Sequence, residues 1–411
     1  MSNVKQQTEV MRKIMNEQQS PAELKSGLHI QHFSFHSTFE MNSAKKGLFA
    51  GNLYYHELVD CKVSENTDFT YPVIVPDRDT SYEHGIFLLH GLNEKSWDKY
   101  LAWASELATR LKCPVVLFPI AYHMNRAPKS WSDPRQMKDV VSDRNHDLVS
   151  NDTTFANAAL STRLGSHPEQ FIYSGIQSYY DFSNLADGIQ KGEHPLFKPN
   201  TSIDFFAYSI GAFLAQILCI GNPSGLFDRS KLFIFAGGPT FDTMMGTSRY
   251  IMDLKAFKSL LTLKRKRVLK KVHRDLREAN LPDFESMWRA FYGMLHHRKG
   301  QRIRNEWLDE RGSEVQVIAL KNDQVMPAKA IIHTFGVVQR KNKVRIDVID
   351  FPYAYTHENP FPLKDEKIQH LVNRSFDVVF EKAIRFYNET EKKLTGVESF
   401  SGQAAMRVLL A

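Results

Sequence analysis

The chain has 411 residues, 42% of them hydrophobic, and a formal net charge of +7. This length and apolar content suit one large globular domain with insertions or two smaller domains, and they exclude a disordered chain. Three widely spaced cysteines, Cys61, Cys113 and Cys219, favour reduced core residues over a disulfide framework or a zinc site. The polar first thirty residues lack a signal sequence, and no segment approaches the ~18 apolar residues of a membrane-spanning helix. We therefore expect a cytoplasmic protein.

The first part of the chain predicts a polar helix and an antiparallel edge. The helix is expected at residues 4–18. Apolar and polar residues alternate over 27–39, as they do in a half-buried strand, and a second strand is predicted at 68–77.

From residue 85 onward, buried-strand patterns alternate with helical patterns. The strands are predicted at 85–91, 114–122, 202–209, 231–238, 314–323 and 344–354. The helices that follow them include residues 96–111, 211–221, 327–336 and 366–394. This alternation predicts an α/β fold with a mostly parallel central sheet and helices on both faces.

Two connections, 124–166 and 239–312, are longer than a simple crossover requires. Both leave from the C-terminal ends of predicted strands, which is the side where ligands bind in open α/β sheets. We interpret them as cap insertions, the second of them helical, into a domain that spans 68–394. Residues 1–67 then supply the N-terminal helix and edge strands, and 395–411 form a C-terminal tail.

The segment 255–274 is unusually basic, with nine lysines and arginines and no acidic residue. As a single helix it would carry an apolar stripe made of Leu260, Leu261, Leu263, Val268, Leu269 and Val272, as a lid helix over a pocket does. The charges fit a solvated helix face, attraction of an anionic acyl thioester, or contact with a membrane surface. A nucleic-acid partner is not expected, and the oligomeric state is left open.

The pentapeptide "AYSIG", residues 207–211, stands where a strand gives way to a helix. It can be an ordinary structural turn or a nucleophile elbow, in which a serine sits on a sharp turn between small residues. Ala207 and Gly211 are small enough for the second interpretation, with Ser209 as the nucleophile.

Acyl transfer also requires backbone amides that face the developing oxyanion. The amide of Ile210, at the start of the helix after the serine, can supply one of them. The second amide would come from Leu92 or from Asn93, in the turn "HGLN" that follows an apolar strand. His90 in this turn is interpreted as a structural residue that hydrogen-bonds the loop.

Together these motifs resemble the α/β-hydrolase superfamily, whose catalytic order is nucleophile, acid and histidine, each after a parallel strand. Ala207 replaces the glycine that usually opens the elbow motif. Asp323 in "LKNDQVMP" matches the acid loop, and His357 in "DFPYAYTHENPF" matches the histidine loop before the last helix. The resemblance covers 68–394 without the two insertions.

The resemblance implies a serine hydrolase that acts on a small-molecule ester or thioester through a Ser209–His357–Asp323 triad, with no metal or organic cofactor. Asp242, after the preceding strand, is the alternative acid. A lipase or peptidase, or a non-catalytic binding protein on the same fold, remains the alternative function. The candidate substrate contacts are Asn93, Tyr208 and Arg126, the last of which fits a salt bridge within its loop equally well.

Two further histidine motifs are interpreted as having no catalytic role. His333 falls in a predicted helix and is expected to be packed in the core. His296 and His297 are adjacent on a predicted helix, so their side chains should diverge instead of sharing a metal ion.

Overall fold

The structure, a computed structural model, describes residues 3–16, 27–39, 63–76, 81–146, 152–336 and 343–389. The expected C-terminal tail at 395–411 and the end of the last predicted helix lie outside these ranges, as does Cys61. The domain boundaries drawn from the sequence stay a prediction.

Eight strands form one sheet: β1 (His29–His36), β2 (Asp68–Val75), β3 (Tyr82–Leu89), β4 (Val115–Val116), β5 (Phe197–Tyr208), β6 (Leu232–Phe235), β7 (Val315–Leu320) and β8 (Arg345–Ile349). Their spatial order is β1-β2-β4-β3-β5-β6-β7-β8. Strand β2 pairs antiparallel with both β1 and β4, whereas all the pairings from β4 across to β8 are parallel. The expected antiparallel edge and mostly parallel sheet are confirmed, and this strand order is that of the α/β-hydrolase fold.

Twelve α-helices accompany the strands: α1 (Val4–Asn16), α2 (Asp98–Leu111), α3 (Pro134–His146), α4 (Ala158–Ser166), α5 (Gln170–Lys191), α6 (Ile210–Gly221), α7 (Leu254–Leu260), α8 (Lys266–Arg277), α9 (Phe284–Leu295), α10 (Gln301–Arg311), α11 (Ala328–Phe335) and α12 (Gln369–Asn388). The described part of the first insertion contains α3 and α4, and the second contains α7 to α10. Within the described residues, no helix is both long and apolar enough to span a bilayer.

Alternate residues of the central strands point to opposite faces of the sheet and join separate cores. In β5, Phe205 and Ala207 belong to the core under α5 and α6, whereas Phe206 and Tyr208 belong to the core under α1, α2 and α12. All four side chains are at most 1% exposed. Helices therefore cover both faces, which explains why the central strands are continuously apolar.

Three elements differ from the sequence prediction. Strand β4 contains two paired residues, although the apolar run 114–122 predicted a full strand. Strand β5 begins at Phe197, before the predicted start at 202. Helix α5 was not predicted, because it is buried on most of its circumference and shows no clean polar face.

The basic segment does not form one continuous helix. Helix α7 ends at Leu260, a short 3-10 helix follows, and α8 begins at Lys266 after Arg265 adopts an extended conformation with φ −74° and ψ 125°. The predicted apolar stripe is largely buried nevertheless, with Leu269 6% and Val272 1% exposed. The error concerns the helix boundaries, since this segment contains neither proline nor glycine to signal a break.

Candidate active site

Ser209 lies on a sharp turn between the end of β5 and the start of α6. Its backbone has φ 57° and ψ −125°, a region that residues other than glycine rarely adopt. A Cβ atom on Gly211 would lie 2.7 Å from the carbonyl oxygen of His90 and 2.7 Å from the Cβ of Leu89, so glycine is required there. The close approach of α6 to β3 thus holds the serine in its strained conformation.

Three polar side chains from three strand ends form a hydrogen-bonded series. The Oγ of Ser209 lies 2.6 Å from Nε2 of His357, and Nδ1 of His357 lies 2.7 Å from Oδ2 of Asp323. The three residues are 1%, 4% and 5% exposed, respectively. They follow β5, β8 and β7, so the parallel sheet brings residues separated by up to 148 positions into contact.

The carboxylate of Asp323 is fixed from two sides. Its Oδ1 accepts hydrogen bonds from the amides of Val325 and Met326, both at 2.9 Å, which leaves Oδ2 to face His357. The alternative acid, Asp242, lies elsewhere, where its Oδ1 accepts a hydrogen bond from the amide of His297 at 2.9 Å. The structure therefore pairs His357 with Asp323.

Tyr208 packs against His357 and hydrogen-bonds to the backbone of its loop. Its ring stacks on His357 with a centroid distance of 5.4 Å and an interplanar angle of 12°, and its hydroxyl donates to the backbone carbonyl of His357. The residue is 1% exposed. The prediction that Tyr208 contacts a substrate is therefore wrong, because its polar atom is used to hold His357 in place.

His90 joins the ends of β3 and β4. Its Nδ1 donates to the carbonyl of Gly91 at 2.8 Å, and its Nε2 accepts from the amide of Ile120 at 3.0 Å. Complete burial lowers the pKa of His90 to about 3, so the ring is neutral and both nitrogens serve the loop. The structural role expected from the sequence agrees with these contacts.

Leu92 and Ile210 both line the cavity that reaches Ser209. Ile210 is the first residue of α6, where amides have no partner within the helix. Asn93 has φ 64°, and its side-chain amide donates to the carbonyl of Ala156 at 2.8 Å and to that of Tyr250 at 2.6 Å. Its side chain thus ties the loop to both insertions, which corrects its prediction as a substrate contact.

An apolar cavity of about 30 Å³ adjoins Ser209. Half of its wall comes from the sheet domain and half from the second insertion. The second insertion contributes Phe241, Met244, Gly246, Ile251, Met252, Phe257 and Leu260, and the other lining residues include Leu92, Phe171, Ile210, Val325 and Met326. The second insertion thus covers the serine and shapes the space beside it.

The prediction of Arg126 as a substrate contact is wrong, because the side chain is completely buried. Its guanidinium lies 2.7 Å from the carboxylate of Asp181 and donates to the carbonyls of Pro119 and Asn66, both at 3.0 Å. It also covers the ring of Phe69 at 4.2 Å. Arg126 therefore holds its loop against α5 and β2, and its salt bridge is made to α5 instead of within the loop as the alternative interpretation had it.

The two insertions are joined by a cluster around Asp253 that the sequence did not indicate. This fully buried carboxylate accepts from Nε of Arg144 at 2.8 Å and from the hydroxyl of Thr153 at 2.8 Å. Its backbone amide donates to Ser161 at 2.9 Å. We call Asp253, Arg144, Thr153 and Ser161 the clasp. Single polar residues scattered over 110 positions give no sequence signal for such a contact.

The remaining candidate residues lie apart from Ser209. His333 is exposed on α11, so the expectation of a packed core histidine is wrong. His297 donates its amide to Asp242. Cys113 and Cys219 are unpaired thiols, and the described residues contain no group of three or more side chains suited to bind a metal ion.

Several solved structures are similar to this chain. An esterase from Pyrobaculum calidifontis has 11% identity and a TM-score of 0.41, covering 93% of this chain and 91% of that one. Esterase LipW from Mycobacterium marinum has 13% identity and a TM-score of 0.41, with coverages of 94% and 90%. Carboxyl esterase 2 from Tuber melanosporum has 10% identity and a TM-score of 0.44, with coverages of 94% and 98%.

At these identities and TM-scores, the comparisons leave activity and substrate to be argued from the chain's own residues. Among proteins with curated descriptions, none matches this sequence. A family model described as "Family of unknown function (DUF6051)" matches residues 2–388, and the chain therefore belongs to this family.

Proposed function

We propose that this chain is a serine hydrolase that cleaves a carboxylic ester or thioester through an acyl-enzyme intermediate. The hydrogen bonds from Ser209 to His357 and from His357 to Asp323 carry this proposal. They connect a weak nucleophile to a base, and that base to a carboxylate that orients it. The strained backbone of Ser209 supports the same interpretation, because strain of this kind persists where function requires it.

In the proposed acylation step, Oγ of Ser209 attacks the substrate carbonyl carbon while Nε2 of His357 takes the hydroxyl proton. The amides of Leu92 and Ile210 would stabilise the negative oxygen of the tetrahedral intermediate. When that intermediate collapses, the bond to the alcohol or thiol breaks. The leaving group receives the proton from His357, and the acyl group stays on the serine.

In the proposed deacylation step, water attacks the acyl-enzyme and gives its proton to Nε2 of His357. The bond to Ser209 then breaks, the proton returns to Oγ, and a carboxylic acid is released. Asp323 would keep the proton of the neutral imidazole on Nδ1 and stabilise the imidazolium that forms in each step. The two amide hydrogen bonds to its other oxygen support this role, since they prevent the carboxylate from turning.

The apolar lining of the cavity beside Ser209 favours an acyl group as the bound portion of the substrate. A lipase is the alternative that a specific observation favours. Helix α8 presents Arg267, Lys270, Lys271 and Arg274 along an open groove of about 870 Å³, where the anionic head groups of a membrane surface could bind. Fatty-acid release from anionic vesicles that stops when these four residues are replaced by glutamate would support the lipase.

The proposal is tested by intact-mass analysis after incubation with a fluorophosphonate, which reacts with activated serines. We expect one adduct on the wild type and none on Ser209→Ala. Ser183→Ala is a matched control, since Ser183 is also buried but donates its hydroxyl to a carbonyl within α5. This variant should be labelled like the wild type.

Labelling of Ser209→Ala would show that the nucleophile is another residue. If the folded wild type and both variants remain unlabelled under several conditions, the hydrolase proposal is wrong. A non-catalytic binding protein on the same fold would then be the interpretation to follow.

A further inference from the structure

A second cavity lies next to the one that reaches Ser209. It encloses about 50 Å³ and shares Leu92, Phe171 and Ile210 with the first cavity. Its other walls are mainly apolar side chains from α4, α6 and α9, namely Leu160, Leu164, Phe213, Leu214, Ile217 and Phe291. The two cavities therefore adjoin each other at these three side chains.

The second cavity differs from an ordinary apolar pocket because one of its polar lining residues has a nitrogen without a hydrogen-bond partner in the part of the chain that the structure describes. His123 lines it and is 5% exposed. Its Nδ1 lies 2.9 Å from the carbonyl oxygen of Ala121, and since a carbonyl can only accept, Nδ1 carries the proton. Nε2 consequently offers a lone pair, and among the described residues this atom has no hydrogen-bond partner.

The ring of His123 stays neutral at neutral pH. Burial lowers its pKa well below the usual range, and the positive charges of Lys95 and Arg163 act in the same direction. A neutral imidazole with a free lone pair binds a donor such as a hydroxyl and repels a carboxylate. The neutral ring of His123 therefore favours a ligand group that donates a hydrogen bond over an anionic group.

Arg163 lines the same cavity, is 3% exposed and donates to the hydroxyl of Ser174. Its guanidinium also covers the ring of Tyr122 at 4.2 Å. A positive charge in the same cavity as the lone pair of His123 favours a ligand oxygen that donates one hydrogen bond and accepts another. An alcohol meets both demands, whereas a methyl group meets neither.

We propose that this second cavity selects an acyl group that carries a hydroxyl, which donates its hydrogen bond to Nε2 of His123. The inference rests on the proposed hydrolase function, because the shared wall makes the cavity a subsite for the acyl group held at Ser209. His123 is then a specificity-determining residue that binds the part of the acyl group distant from the carbonyl at Ser209.

The substrate series alone provides the first test. We would measure kcat/KM of the wild type with 4-nitrophenyl esters of straight-chain acids of increasing length, each with a terminal methyl, hydroxyl or carboxylate. At one length the hydroxyl ester should exceed the methyl ester by about tenfold or more, as one buried hydrogen bond allows. A methyl ester that is better at every length overturns the proposal, and so does a preference for the carboxylate.

Variants provide the second test. His123→Phe should reduce the ratio of kcat/KM between the hydroxyl and methyl esters to near one, whereas His123→Gln, which retains an acceptor, should keep part of it. His194→Phe is the matched control: His194 is 7% exposed and bonded to the hydroxyl of Tyr71 at 3.1 Å, but lines neither cavity. Its variant should preserve the ratio. An unchanged ratio in folded His123→Phe overturns the proposal.

Binding separates this inference from the proposed function. Calorimetry on Ser209→Ala with the same esters requires no turnover. Tighter binding of the hydroxyl ester without hydrolysis by the wild type would retain the subsite and reject the hydrolase. Hydrolysis by the wild type without any preference for the hydroxyl, in rate or in binding, would retain the hydrolase and reject the subsite.

Discussion

Asp323→Asn tests how the proposed triad works, because the structure dictates what the new side chain must do. The Oδ1 of Asp323 accepts from the amides of Val325 and Met326, both at 2.9 Å. Asparagine can keep these two bonds only with its carbonyl oxygen in that position, since its NH2 group would otherwise face two N–H donors. Its NH2 group must therefore point at Nδ1 of His357.

This orientation imposes the wrong tautomer on the histidine. Nδ1 of His357 would have to accept from the new NH2 group, so the ring proton would move to Nε2, which faces Ser209 at 2.6 Å in the wild type. A protonated Nε2 cannot take the serine proton. Such a change lowers kcat by about 10⁴-fold, which corresponds to ~5.5 kcal/mol of transition-state stabilisation.

The assay is steady-state hydrolysis of 4-nitrophenyl acetate at saturating substrate, with folding verified by circular dichroism. Asp242→Asn is the matched control, because Asp242 accepts hydrogen bonds from the amide of His297 and the hydroxyl of Thr240, whereas His357 is bonded to Asp323. Its kcat should stay within a few-fold of the wild type. A greater loss in Asp242→Asn than in Asp323→Asn would refute the reasoning and move the acid to the loop after β6.

Two further predictions concern buried charges. Arg126→Met should lower the free energy of unfolding by about 3–5 kcal/mol in urea titrations, because it leaves the buried carboxylate of Asp181 without its ion-pair partner. Adding Asp181→Leu should restore most of this free energy. Loss of ester hydrolysis with unchanged stability would instead make Arg126 a substrate contact. Asp253→Asn weakens the hydrogen bonds between the clasp residues Asp253 and Arg144, so limited proteolysis should cleave the second insertion faster while the sheet domain stays resistant. Equal cleavage rates in the wild type and the variant would show that the clasp does not hold the second insertion in place.

The sequence predicted the residues of the candidate site better than its surroundings, and the reason is local. A serine between Ala207 and Gly211 at a strand-to-helix turn, and single polar residues after the last two strands, are arrangements that chain order alone exposes. Asp323 and His357 follow β7 and β8, so the parallel sheet brings them together without any further information. Their placement depends on which strands they follow along the chain, and the apolar pattern of buried strands predicts those strands.

The surroundings depend on contacts between residues far apart in the chain. From the sequence alone, Arg126 is a guanidinium in a loop with no evident partner. Its partner, Asp181, lies in α5, a helix that was not predicted. Asn93 and Tyr208 read as substrate contacts because they flank the predicted oxyanion and nucleophile residues. Their polar atoms are instead used by the insertions and by the loop of His357, which no local pattern encodes.

The catalytic candidates and the wall of the cavity come from different parts of the chain, and this explains why the reaction can be inferred more readily than the substrate. Ser209 and the residues bonded to it stand on the ends of sheet strands, where the backbone fixes them. The facing wall comes from the second insertion, which the clasp holds against the first. Substitutions in this insertion should therefore change which acyl group is accepted and leave the bond-breaking step intact. His123 lies on the other side, after β4, so its preference for a hydroxyl should persist when the insertion is altered.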